Sequence, residues 1–459
     1  MNYKDMTSIK TDIVAIDLAQ KSGPYEWWRH TIGHGGINSK PLPERVIQGS
    51  RAFKPRLLRT FIQEFFNVYP EHGRFDWSKL DPYMDALHQT GANVVAAITI
   101  KPPVLYPEIN HSIWRPNNIE EWQQVIYELV NRYSVEKQIV TYWEIGNETD
   151  IGEHGGSPYL IQDVVDYMEF YRFTIEPIRK AFPSAKIGGP AIANFKDKLL
   201  FDFIDECHRT QTQLDFISWH LYDDDPERHK SNVISAKRHL AQFGDNQPEM
   251  LVTEWSKSFD RVSYEELAHQ PRRAAATAAS IMAMMEAGLD WSFYYHVWDQ
   301  SFNPKEFEAF YKELPIMIEH WNEGPHRFGL FGVEGEVRPQ YFVYTMLSQM
   351  DGEQIKAEST NLDLRVNAVT RDDQTAVLIS NFNVIQSADT IAITKFQNLT
   401  AGPKQLQIYR IDNHRSWSTE NLELVPVESR DVDLIDHYPF RLQTLCPADS
   451  VTLIILKNL

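Results

Sequence analysis

The chain has 459 residues, 42% hydrophobic and 12% aromatic, with a formal net charge of −18. That length supports a large buried core and more than one domain. The acidic balance disfavours nucleic acid and anionic membranes as partners, no apolar run is long enough to span a bilayer, and Cys207 and Cys446 lie too far apart for a disulfide framework or a zinc spacing.

In chain order, the N-terminus has neither a basic start with a long apolar block nor a small-residue cleavage site. No signal peptide is expected, which gives a cytoplasmic expectation. Asp12 to Leu18 reads as a strand, and residues 1–27 are expected to join the C-terminal β domain. From Trp28 to Trp298, short apolar runs alternate with amphipathic segments. The runs are His30 to Gly35, Arg56 to Phe65, Asn93 to Pro102, Ile139 to Glu148, Lys186 to Ala193, Leu214 to Tyr222, Pro248 to Ser256 and Asp290 to Asp299. Helical patterns fall at Trp77 to Gly91, Ile119 to Tyr133, Tyr159 to Phe182, Lys198 to His208, Glu227 to Phe243 and Pro271 to Gly288, several closing on Gly. Eight tandem βα units predict an α/β chain with a (β/α)8 TIM barrel over residues 28–350. A doubly wound sheet is the rival, and it would want a glycine fingerprint after the first strand. Gly33-His34-Gly35-Gly36 lacks that spacing and an obvious following helix. No dinucleotide or other cofactor is expected.

Arg338-Pro339-Gln340 opens a helix over Tyr341 to Met350. The character then changes. Leu362 to Thr370, Thr375 to Asn381, Asp389 to Thr394, Gln405 to Ile411 and Ser450 to Ile455 read as strands divided by turn signals. Residues 351–459 are expected to form a β-sandwich domain.

Barrel active sites sit where the strands exit at their C-terminal ends. Strand four delivers Asn147-Glu148, strand seven Glu254, strand six His220 and Tyr222, strand eight His296 and Trp298. Strand two carries Arg59, strand three ends at Lys101, and strand one leaves through His34. Two carboxylates across one pocket suit glycoside hydrolysis, where one must be neutral and the other charged. Aromatic rings offer flat faces to the C–H side of a sugar. Glu144 sits four residues before Glu148, about 13 Å below the mouth at about 3.3 Å per residue, and suits a buried ion pair. Glu64 is a rival acid at the strand-two exit. Phe65, Phe66 and Trp114 read as core or rim packing. A metal would need ligand spacing that His30 and His34 do not offer. Lys101, if it faces the pocket, could recognise a uronic carboxylate.

The WEIGNE run of strand four, with TEWS of strand seven, resembles clan A of the retaining glycoside hydrolases. The likeness extends to LLRTF around Arg59, SWHLY with His220 and Tyr222, and Trp298. With a β-sandwich after the barrel, the chain looks most like family 39, the β-xylosidase and α-L-iduronidase family. The clan often reads WNEPN where this chain reads IGNETD, a departure that bears on substrate. The resemblance implies Glu148 as acid/base, Glu254 as nucleophile, Asn147 at the sugar 2-hydroxyl, Arg59 and Tyr222 beside Glu254, and Trp298 beneath the sugar. The expected activity is exo-acting, retaining and xylosidase-like, on an oligosaccharide or glycoside. Arabinosyl or uronic substrates, and a non-catalytic carbohydrate-binding barrel, remain as alternatives.

Overall fold

The computed structural model describes residues 9–245, 247–258, 270–312, 314–324, 326–413, 417–435 and 439–459. Eight parallel strands close into a barrel in sequence order: β2 (His30–His34), β3 (Leu57–Gln63), β4 (Asn93–Thr99), β5 (Val140–Ile145), β6 (Lys186–Ile192), β7 (Phe216–Tyr222), β8 (Glu249–Ser256) and β9 (Trp291–Tyr295). All eight fall within the apolar runs. These strands are buried on both faces, so they read as continuous apolar stretches rather than alternating ones. Inside, Leu57, Val95, Phe216, Leu251 and Phe293 from five strands pack together. By the two-residue period, Arg59 lies one layer above Leu57, and Glu144 one layer above Tyr142. The polar machinery therefore stands directly on an apolar floor.

The helices α2 (Leu80–His88), α3 (Ile119–Val130), α4 (Val164–Ala181), α5 (Lys198–Thr210), α6 (Pro226–Leu240) and α7 (Pro271–Ala287) occupy the predicted places, and α1 (Glu44–Ala52) precedes them. Asn118, Asp163, Asp197 and Asp225 cap α3 to α6 by accepting an N–H of the first turn. Helix α1 was not expected from sequence. It has nine residues, with Val46 and Ile47 its only large apolar side chains and the helix-weakening Gly49 inside it. After β9 the chain forms short helices α8 (Pro304–Phe307) and α9 (Leu314–Ile318), then α10 (Pro339–Leu347).

The second body is a nine-stranded sheet in the order β15-β14-β17-β12-β11-β10-β1-β13-β16. Its members are β1 (Lys10–Pro24), β10 (Glu353–Ser359), β11 (Leu364–Arg371), β12 (Gln374–Asn381), β13 (Thr390–Gln397), β14 (Gly402–Ile411), β15 (Glu428–Leu434), β16 (Phe440–Cys446) and β17 (Ser450–Asn458). It is antiparallel except where β1 runs beside β13. Val14, Ile16, Val377, Ile379, Leu406 and Ile454 share its core, so the first strand of the chain is built into the last domain. Barrel and sandwich are the architecture the sequence predicts. Strands β10, β15 and β16 escaped the sequence reading. β15 is an edge carrying Glu428, Arg430, Asp431 and Asp433, which protects the edge and hides its hydrophobic signal, while β16, the other edge, alternates Leu442, Thr444 and Cys446 inward with Arg441 and Gln443 outward.

Helix α7 carries the sheet on the barrel. It is buried almost all round, and its alanines let both bodies approach. At its start, Arg272 donates to Asp449 Oδ1 at 2.7 Å and to the carbonyls of Asn383 and Val384 at 3.1 and 2.7 Å. Its guanidinium lies 4.8 Å from the Phe382 ring centroid. Arg272→Ala is expected to destabilise the protein by about 1–2 kcal/mol. Urea denaturation checks this, and an unchanged midpoint would show that these contacts do not hold the bodies together. Cys207 and Cys446 are buried and unpaired. Among the described residues no helix is long and apolar enough to cross a membrane.

Candidate active site

The fourth barrel strand, β5, stops at Ile145. The sequence reading carried it through Glu148. The difference arises at Gly146, whose φ of +88° takes the chain out of the ladder. Glu148 itself adopts φ +45° in a bonded turn. Its N–H donates to Ala191 O at 2.8 Å, and its carbonyl accepts from the N–H groups of Ile151 and Gly152 at 3.1 and 3.0 Å. Asp150 accepts from the N–H groups of Ala193 and Asn194 at 3.0 and 3.1 Å. The unusual Thr149-Asp150-Ile151-Gly152 stretch is thus turn chemistry that staples the exit of β5 to the exit of β6.

Arg59 is the hub. Its Nε and Nη2 donate to Glu144 Oε2 at 3.0 and 2.8 Å, and Nη2 also donates to Asn147 Oδ1 at 2.6 Å. Its Nη1 donates to Glu254 Oε2 at 2.9 Å. Glu144 forms the buried ion pair that its place in the strand suggests, and one guanidinium reaches both Glu144 and Glu254. Tyr222 donates its hydroxyl to Glu254 Oε1. His220 Nδ1 stands 2.8 Å from Glu148 Oε1 and 4.0 Å from Glu254 Oε2. The pair His220 and Tyr222 on one face of β7 thus serves both carboxylates, one each.

The two acids differ in surroundings. Burial pushes Glu148 well above the ordinary carboxylate range, and the neighbouring charges of Glu254 and Asp150 push the same way against a weaker pull from Arg59. Burial raises Glu254 too, but the Arg59 charge and the Tyr222 hydrogen bond oppose it directly. Of the pair, Glu148 keeps the proton and Glu254 the charge. Burial, then the Arg59 charge, holds His220 well below the usual imidazole range, so it is neutral.

Around them, Trp298 and His34 stack with centroids 6.1 Å apart, and His34 lies 6.0 Å from His296. Both ring nitrogens of buried His34 lack a protein partner, as does Nε2 of His220. His296 and Trp298 lie past the end of β9, with Val297 N–H donating to Gly33 O at 3.0 Å. His296 Nε2 is 2.9 Å from Asp299 Oδ1, and Asp299 pairs with Arg338 at 2.5 Å. Lys101 does not turn to the carboxylate pair. Its ammonium donates to Asn110 O and Pro158 O at 2.8 Å each and lies 5.2 and 5.0 Å from the Tyr106 and Tyr159 ring centroids. Phe65 and Phe66 are buried packing, and Trp114 is half-buried against the core. Sequence reasoning missed Asp150, Asp299 and Arg338. Only the first two carried a signal, as acids just past strand ends.

One oxygen each of Glu148 and Glu254 and a ring nitrogen of His220 lie within 4.8 Å of one another. A cation there would need both acids ionised beside Arg59, whose fixed charge already serves Glu254. A proton donor and a charged oxygen facing each other across one pocket can instead act on two sides of a C–O bond.

A closed barrel with paired acids leaving its fourth and seventh strands defines a glycosidase. The family model of the glycosyl hydrolases family 39 matches residues 57–421, and the chain belongs to that family. A β-xylosidase of Caldicellulosiruptor saccharolyticus is 23% identical over 368 residues, covering 74% of this chain and 71% of that protein. A monomeric β-xylosidase from Caulobacter crescentus CB15 superimposes with a TM-score of 0.73 at 18% identity, over 97% of this chain and 99% of that one. The family 39 enzyme of Xanthomonas axonopodis pv. citri gives 0.75 at 16% identity over 100% of both chains.

Proposed function

We propose a retaining, exo-acting glycosidase that removes a terminal xylosyl residue, with Glu254 as nucleophile and Glu148 as general acid and base. The approach of the two carboxylates, with oxygens within 4.8 Å, carries this reading. Retention goes with carboxyl groups about 5–5.5 Å apart, and inversion with about 6.5–9.5 Å, where a water must fit between.

In the first step Glu254 Oε attacks the anomeric carbon while Glu148 passes its proton to the leaving oxygen. The C–O bond breaks, the aglycone departs neutral, and a glycosyl ester forms on Glu254. Glu148, now a carboxylate, takes a proton from water as the water oxygen attacks the same carbon. The ester C–O bond breaks, and sugar and both acids are restored. Asn147 has its amide oxygen fixed by Arg59 and one long N–H bond to Gly155 O, which leaves its second N–H to meet the 2-hydroxyl. His34 and Trp298 offer a polar edge and a flat face to the ring.

The exo reading rests on the segment 300–329. Glu306 accepts from the N–H and hydroxyl of Ser39 at 3.2 and 2.8 Å, Phe307 packs on Phe65 at 5.0 Å, and Tyr311 donates to Gly156 O at 2.6 Å. These contacts tie Glu306, Phe307 and Tyr311 to the exits of strands one, two and four, which supports reading them as a wall at one end of the pocket. The occupied ammonium of Lys101 weighs against a uronic substrate. Product stereochemistry tests the mechanism. NMR of an aryl β-xyloside digest is expected to show β-xylose first, then mutarotation. Early α-xylose would mean inversion. Cleavage of arabinofuranosides but not xylosides would overturn the sugar and leave the acid pair standing.

A further inference from the structure

A backbone segment rests directly on the acid. A Cβ at Gly155 would lie 2.0 Å from Glu148 Oε2 and 2.8 Å from its Cβ, so the glycine brings bare backbone against the carboxyl and a larger residue would have to displace it. Gly155 O accepts a long bond from Asn147 Nδ2 at 3.5 Å. Gly156 O accepts from Gln63 Nε2 at 3.4 Å and, much closer, from the Tyr311 hydroxyl at 2.6 Å. Tyr311 is buried, with its ring edge-on to Phe307 at 5.4 Å. It belongs to the wall after β9, far in sequence from the acid it reaches.

The geometry points to Tyr311 as a positioning residue. Through Gly156 its hydroxyl holds Gly155 against Glu148 and keeps bulk water off the face of the carboxyl that this backbone covers. This rests on Glu148 being the acid. The groups facing Glu148 are His220, Glu254, Asp150 and Arg59, and those facing Tyr311 are Glu64 and Glu153. Burial holds Glu64 up to about 8, and its carboxyl lies in hydrogen-bonding reach of the same Tyr311 hydroxyl that donates to Gly156 O. Lys101 secures the same segment further on, at Pro158.

Tyr311→Phe deletes the hydroxyl and keeps the ring packing. Its test compares phenyl β-xyloside, whose leaving group needs the acid, with 2,4-dinitrophenyl β-xyloside, whose leaving group does not. In Tyr311→Phe, kcat/KM on the phenyl substrate is expected to fall about tenfold and on the dinitrophenyl substrate about twofold or less. Wetting Glu148 lowers its pKa, so the basic limb of the kcat/KM profile should move down by about one unit. Equal losses on both substrates, or an unmoved limb, would overturn the proposal. Gly155→Ala pushes the same contact from the other side and should show the same substrate discrimination; indifference to leaving group there also counts against it. Glu148→Ala is the reference. If it discriminates between the substrates and Tyr311→Phe does not, only the positioning role falls. If Glu148→Ala itself does not discriminate, the acid assignment fails first.

Discussion

Glu254→Ala is expected to lower kcat on an aryl β-xyloside by at least about four orders of magnitude, the scale seen when a nucleophile is removed from a preassembled site. The fold should survive, because Glu144 still pairs with Arg59 at 2.8 Å. What disappears is the oxygen proposed to attack the anomeric carbon, while Arg59 Nη1 and the Tyr222 hydroxyl lose this acceptor. The space left between these donors suits a small anion. Azide should therefore restore turnover and give the α-glycosyl azide, since it attacks from the vacated side. Glu148→Ala should behave oppositely. Its ester intermediate still forms on Glu254, and azide entering on the acid side gives the β product. NMR of the two azides separates the roles in one experiment. Near-full activity in Glu254→Ala, or the β product from it, would remove Glu254 as nucleophile.

The eight barrel strands were legible because each is buried on both faces and reads as an unbroken apolar run. Sequence order fixed which carboxylates leave the fourth and seventh strands, and hence which two meet. Tyr222 and His220 followed from the two-residue period of β7. The rest depended on where strands stop. Gly146 ends β5 early and turns Glu148 out of the ladder, while Arg59 holds Glu144 and Glu254 together. No periodicity reveals that, because the decisive variable is one backbone angle. Lys101 was misleading for a similar reason: its ammonium answers to loop carbonyls at Asn110 and Pro158, whose positions are tertiary. Tyr311 gave no signal at all. It sits in a segment without clear pattern, and its partner lies 155 residues away. β15 stayed hidden because its edge is written in charge.

Arg59 should be the most sensitive position for stability. Its side chain is buried and satisfies Glu144, Asn147 and Glu254 together. Arg59→Met leaves Glu144, itself fully buried, without its cation. Breaking a buried pair this way costs about 3–5 kcal/mol, far more than the pair contributes net. Lysine is no rescue, since a point charge cannot present the guanidinium fork to three acceptors. The double variant Arg59→Met, Glu144→Leu removes both charges and should regain more than half of the loss in urea midpoint. Activity should not return with it. Glu254 still lacks the neighbour that opposes its burial, so its pKa rises. A nucleophile must be ionised, so the acidic limb of kcat/KM moves to higher pH in both variants, by about one unit or more. Recovery of stability without recovery of the limb separates the two uses of one side chain. Joint recovery would mean that Arg59 acts on catalysis only through the fold.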